Sequence, residues 1–146
     1  MELPADTAVL TEQVVERLRQ DADFDPIRDE PAFKAVFQPT LVVDQGLTAI
    51  SNTRIVRETP VPGTVKKEVV FADSIRMSTY LVAFIVGPLE VTEPVDAGGT
   101  PLRIAHPLGQ GHLTDFALDV GKFSLAFFEE YYGIAYPGGK LDLIAV

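Results

Sequence analysis

Between Val36 and Val86 the sequence falls into five short runs rich in Val, Ile, Phe and Thr: Val36 to Val43, Leu47 to Ser51, Arg54 to Glu58, Val65 to Phe71 and Thr79 to Val86. Each run is stopped by turn-favouring residues, at Asp44-Gln45-Gly46, Asn52, Pro60-Val61-Pro62-Gly63 and Gly87-Pro88. β-branched and aromatic residues suit a pleated, half-buried surface, and breaks at this spacing leave no room for long helices. The pattern predicts an antiparallel sheet or sandwich. Tyr80-Leu81-Val82-Ala83-Phe84-Ile85-Val86 is apolar on both faces, which predicts a central strand covered on each side and lying deepest in the core.

The flanks read differently. Leu10, Val14 and Leu18 recur four apart with Val15 beside them, the pattern of a short amphipathic helix over residues 7 to 20. Asp21 to Pro31, rich in Asp and interrupted by Pro26 and Pro31, reads as a loop. After Glu93, the residues Pro94, Asp96, Gly98-Gly99 and Pro101 form a linker-like turn ahead of a short strand, Leu102 to Ala105, and a domain boundary is placed there. Leu113, Phe116, Ala117, Val120, Ser124, Phe127, Phe128 and Tyr131 then recur at helical spacing, with Gly133 as the stop. This stripe is expected to face a core. Tyr136-Pro137-Gly138-Gly139 turns the chain into a β-type run, Leu141 to Val146. The whole is an α+β chain, mainly antiparallel β, with an N-terminal helix and a long C-terminal helix followed by a strand. Its expected parts are residues 1–28, 29–93 and 94–146.

Composition narrows the partners. Against 21 Asp and Glu stand 12 Lys and Arg, a net charge of −9, so a polyphosphate is repelled and no nucleic acid is expected as partner. Cysteine is absent, which removes disulfides, thiolate nucleophiles and thiolate metal sites. The longest apolar run, Tyr80 to Gly87, falls far short of the roughly 20 residues a membrane helix needs. Met1-Glu2 does not open a basic-then-apolar signal peptide. The expectation is a cytoplasmic protein with no membrane partner.

Four blocks in order carry a family resemblance. Asp29-Glu30-Pro31-Ala32-Phe33-Lys34-Ala35-Val36-Phe37 resembles a signature of M1 zinc aminopeptidases, an Asp-Glu-Pro turn followed by two residues, Lys-Ala and a strand. Leu41-Val42-Val43 and Ala49-Ile50-Ser51-Asn52 are similar to the strand and Ser-Asn turn that follow in that family. Met77 to Gly87 resembles the closing strand of its N-terminal β-domain. Residues 113 to 132, with Tyr132-Gly133-Ile134-Ala135-Tyr136-Pro137 and Lys140-Leu141-Asp142-Leu143-Ile144-Ala145-Val146, resemble the opening helix and strand of its thermolysin-like domain. Ahead of Asp29 the likeness fades. Asp25 and Ile27 stand where the family usually has Phe and Cys around Pro26, and the preceding arginine is missing. The resemblance implies a chain shortened at both ends relative to the family, whose full-length members bind zinc and remove N-terminal residues from peptides.

The chemistry of such an enzyme needs a helix with two His four apart and a Glu between them, then a later Glu, because zinc takes three fixed ligands and an open water position. No His-Glu-x-x-His and no Gly-x-Met-Glu-Asn occurs in the chain. No catalytic, cofactor-binding or metal residue is therefore assigned, and the chain is expected to be inactive by itself. His106 and His112, with Asp115 nearby, straddle a turn rather than share one face, so a metal pair there is set aside. Ser51, Ser74, Ser78 and Ser124 have no histidine at meaningful spacing. Asp29-Glu30 before a proline reads as turn chemistry. Gly109-Gln110-Gly111 ahead of a helix lacks the lysine of a phosphate loop. Arg76 is read as pairing with an acidic residue across a sheet. The expected partners are the remainder of an aminopeptidase, or a second copy joined through the terminal strand Leu141 to Val146. An alternative use is as a stand-alone interaction or oligomerisation module.

Overall fold

A computed structural model of the chain describes residues 34–145. The helix expected over residues 7 to 20, the loop of Asp21 to Pro31 and the Asp29-Glu30-Pro31 turn lie outside the described residues. Nine strands and one α-helix follow: β1 (Thr40–Asp44), β2 (Thr48–Ser51), β3 (Ile55–Pro60), β4 (Lys66–Phe71), β5 (Phe84–Gly87), β6 (Leu89–Val91), β7 (Val95–Ala97), β8 (Thr100–Pro107), α1 (Asp115–Tyr132) and β9 (Leu141–Ile144). The architecture is α+β, as the pattern predicts, built on three sheets.

The first sheet has the order β1-β4-β3, all antiparallel, with Leu41 opposite Val69 and Val43 opposite Lys67. The second is the antiparallel pair β2 and β5. Strict alternation puts Leu41 and Val43 of β1 inward with Val69 and Phe71 of β4, and Ala49 of β2 joins them in one core against which Phe84 and Val86 pack. Phe71 and Val69 are fully buried. The hydrophobic effect places these side chains, and turn residues set the register.

The third sheet centres on β8. β6 and β7 run antiparallel to it, and β9 runs parallel to it, with Leu102 opposite Leu141 and Ile104 opposite Leu143. Residues 94 to 101, expected as a linker, form β7 and a hairpin whose turn uses Gly98 and Gly99, both at positive φ. A parallel neighbour needs a long crossover, and α1 supplies it by lying on β7 and β8. Leu102, Ala97 and Leu125 form a second core with Leu118, Leu141 and Leu143 packed against it.

Two expectations are corrected. The Tyr80 to Val86 run is not a central strand. Thr79–Leu81 is a short 3-10 helix with Tyr80 79% exposed, and the strand begins only at Phe84, paired among the described residues with β2 alone. The cause is Asn52, whose Nδ2 donates to the Leu81 carbonyl at 2.8 Å while its Oδ1 accepts from the Ala83 N–H at 2.8 Å. One side chain thus serves the backbone that a neighbouring strand would have served.

The second correction concerns α1. Its core-facing residues are Leu118, Gly121 and Leu125, not the predicted stripe. A Cβ at Gly121 would stand 2.9 Å from Leu102 Cδ2 and 3.3 Å from Leu143 Cδ1, so glycine lets the helix sit close on β8 and β9. Close approach favours the face of small and aliphatic residues, and the bulkier aromatic face turns outward. Gly133 ends the helix in the left-handed conformation, with the Ile134 N–H bonded to the Glu129 carbonyl.

Candidate functional site

Among the described residues, those singled out in the sequence are not brought together. His106 is buried at the end of β8, with Nδ1 2.9 Å from the Pro107 carbonyl, whereas His112 lies exposed ahead of α1. The carbonyl can only accept, so Nδ1 carries the proton. Ser74 Oγ accepts from the Phe37 N–H at 2.9 Å and donates to the Ile75 carbonyl at 2.7 Å, a backbone tie. Ser78 precedes the 3-10 helix and Ser124 sits half-buried within α1. At Gly109-Gln110-Gly111, the Gly109 N–H donates to Glu90 Oε2 at 2.9 Å, so a carboxylate already occupies the place an anion would take. Arg76 donates to the Lys34 carbonyl at 3.1 Å rather than to an acidic side chain across a sheet, which corrects that expectation.

Two features have the geometry of a site. The first is a buried ion node. Arg103 of β8 holds Asp142 of β9 in a bidentate grip, Nε to Oδ1 and Nη2 to Oδ2, both at 2.9 Å. Lys140 Nζ bonds the same carboxylate and donates to the Ser51 carbonyl of β2 at 2.7 Å. Burial alone pushes the Asp142 carboxyl up, but hydrogen bonds from Arg103 and Lys140, together with their charges, outweigh it and hold it below its ordinary 3.8. Burial, and then the Asp142 charge, push the Tyr136 hydroxyl above its ordinary 10.0. Two cations on one carboxylate make a charge arrangement that stays locked at neutral pH. Sequence reading noted Lys140 and Asp142 within a family-like block but gave them no role. The period-two spacing that sets both on one side of a strand was the available signal.

The second feature is the outward face of α1. Phe123 stacks on Phe127 at 6.4 Å between centroids, Phe127 on Tyr131 at 6.0 Å, and Phe128 on Tyr132 at 6.0 Å. Phe116, Phe123 and Tyr131 are 80%, 72% and 70% exposed. A contiguous aromatic face of this kind is the feature that a contact site would present. Beside it, β9 pairs with β8 along one edge only among the described residues.

Comparison with known proteins gives these features a setting. The model of the Peptidase M1 N-terminal domain matches residues 20–81. A puromycin-sensitive aminopeptidase of Caenorhabditis elegans is 40% identical over 121 residues, 83% of this chain. Aminopeptidase M1-B of Oryza sativa subsp. japonica is 43% identical over the same length, and an aminopeptidase N of Acetobacter pasteurianus is 37% identical over 118 residues. The chain belongs to the M1 aminopeptidase family. It spans 13%, 14% and 33% of the lengths of these three relatives. An alignment of 121 of the 146 residues is about twice as long as residues 20–81, so the family likeness extends past residue 81.

The zinc centre that the M1 resemblance implies does not fit the side chains at hand. Among the described residues, no three His, Asp or Glu side chains converge on one point. His106 is turned to a backbone carbonyl, and Asp142 is committed to two cations. No helix of the described residues is long and apolar enough to cross a membrane.

Proposed function

We propose that this chain serves as a scaffold portion of an M1 zinc aminopeptidase, a cytoplasmic enzyme that removes N-terminal residues from peptides. Residues 29–93 supply part of its N-terminal β-domain, and residues 94–146 supply the first helix and strand of its catalytic domain. The chain itself does not hydrolyse peptides in this reading, because its sequence holds no His-Glu-x-x-His to bind zinc and activate water. The observation that carries the reading is the aromatic face of α1. In a chain that is about 40% identical to aminopeptidases over 83% of its length, so exposed an aromatic face argues that the further part of such an enzyme covers it. The open edge of β9 is the place for that part's next strand, with a second copy of the chain as substitute when it is missing.

The test is an assay of the 146-residue chain with leucine, alanine and arginine p-nitroanilides, alongside its zinc content. No release of p-nitroaniline and far less than one zinc per chain are expected. Turnover that tracks stoichiometric zinc overturns the reading.

A further inference from the structure

Among the described residues, the pair β2–β5 and the four-stranded sheet around β8 share no ladder of backbone hydrogen bonds. The chain crosses from one to the other through Gly87-Pro88-Leu89, where β5 ends and β6 begins. A single short connection of this kind is a pivot. Among the described residues, two side-chain bonds also cross the gap, and they fall at opposite ends of β2. Thr48 Oγ1 donates to the Leu89 carbonyl at 2.6 Å, and Lys140 Nζ donates to the Ser51 carbonyl at 2.7 Å. Thr48 lies opposite Gly87 in register, so its bond sits on the pivot and restrains rotation little. Ser51 is three residues further along, roughly 10 Å from the pivot at the usual rise of a strand. A bond at that lever arm fixes an angle.

We propose that Lys140 is a positioning residue, a latch that sets the orientation of the β1–β5 region against the β6–β9 sheet. The geometry around it suits the task. Lys140 is buried, and its ammonium is held by Asp142, which Arg103 anchors to β8 through two parallel bonds. A flexible lysine so constrained acts as a rigid strut. The acceptor on β2 is a backbone carbonyl, so the latch is independent of the Ser51 side chain, whose Oγ is buried without a hydrogen-bond partner. The inference does not depend on the aminopeptidase reading, since it concerns only contacts within this chain.

The absence of cysteine makes the test direct. Spin labels are placed in the full chain at Val65→Cys, on the exposed turn ahead of β4, and at Asp119→Cys, on the exposed side of α1. Their distance distribution is measured by pulsed electron resonance with Lys140 intact, with Lys140→Met and with Ser51→Ala. One narrow distance is expected with Lys140 and with Ser51→Ala, and a distribution about twofold broader or more with Lys140→Met, since sub-global opening follows loss of the tie. An unchanged width in Lys140→Met, or equal broadening in Ser51→Ala, overturns the proposal. Should Lys140→Met not fold, amide exchange in the unsubstituted chain decides. Amides of β2 and β8 exchanging through one common opening support the latch, and separate openings differing about tenfold or more in rate overturn it.

Discussion

The core of the β1–β5 region closes on itself, whereas the core beneath α1 covers only one side of the helix that builds it. In the first, Leu41, Val43, Val69 and Phe71 meet Ala49 across two sheets, and all five are nearly inaccessible. In the second, Leu102 is sealed by Leu118, Gly121 and Leu125, yet the same helix carries its aromatic weight on the outside. Burial of apolar surface is the main favourable term in folding, so a helix with six exposed aromatic rings has more apolar surface than the described residues bury. The comparison separates a core buried from both sheets from a helix buried on one face only.

The strongest way to break the contrast is Phe71→Ala. Removing a fully buried ring from the closed core should cost about 3–5 kcal/mol, read as a lowered urea midpoint. A loss no larger than that of an exposed aromatic would mean the first core is not closed. Next is Asp142→Asn, which leaves Lys140 and Arg103 sharing no carboxylate. Because Arg103 stays partly in water, the loss should be about 3 kcal/mol, at the lower end for a broken buried pair. The pH dependence has the same origin. Since the folded-state pKa of Asp142 lies below 3.8, its contribution is fully present above about pH 4 and disappears as pH falls through that lowered value. An acid unfolding midpoint unmoved by Asp142→Asn would remove the node from the stability account.

Smaller effects sharpen the reading of α1. Gly121→Val pushes a branched side chain against Leu102 and Leu143 and should cost about 1–3 kcal/mol by calorimetry, overpacking outweighing any gain in helix propensity. Smallest is the paired change Phe116→Gln and Phe123→Gln on the outer face. Stability should stay within about 0.5 kcal/mol, while self-association at high concentration, followed by sedimentation, should fall. A destabilisation matching that of Gly121→Val would show the outer face to be a core after all.

How far these features were legible in the sequence depended on how local their causes are. The strands β1 to β4 follow from β-branched runs bounded by glycine, proline and asparagine, and their edges fall within a few residues of expectation. Gly133 announced the helix end because only a residue at ease with positive φ closes a helix that way. β6 and β7 were missed, being three residues each and too short to display a period. The Tyr80 run misled because Asn52, far away in sequence, takes over its backbone bonds. For α1 the helix was correctly placed but its buried face was not. Two apolar faces coexist in that segment, and hydrophobic spacing weighs the aromatic one more heavily although Gly121 makes the other fit. The ion node needed the parallel pairing of β9 with β8, which no local pattern encodes.

That parallel pairing also has a kinetic side. An antiparallel hairpin such as β7–β8 can zip from its turn as soon as both arms exist, but β9 meets β8 only after everything from Leu108 to Lys140 has been gathered in. Closing so wide a loop is slow, and it is rewarded only once α1 has formed and landed. The β8–β9 pairing, and with it the bond between Asp142 and Arg103, is thus the contact of this sheet with the widest loop to close.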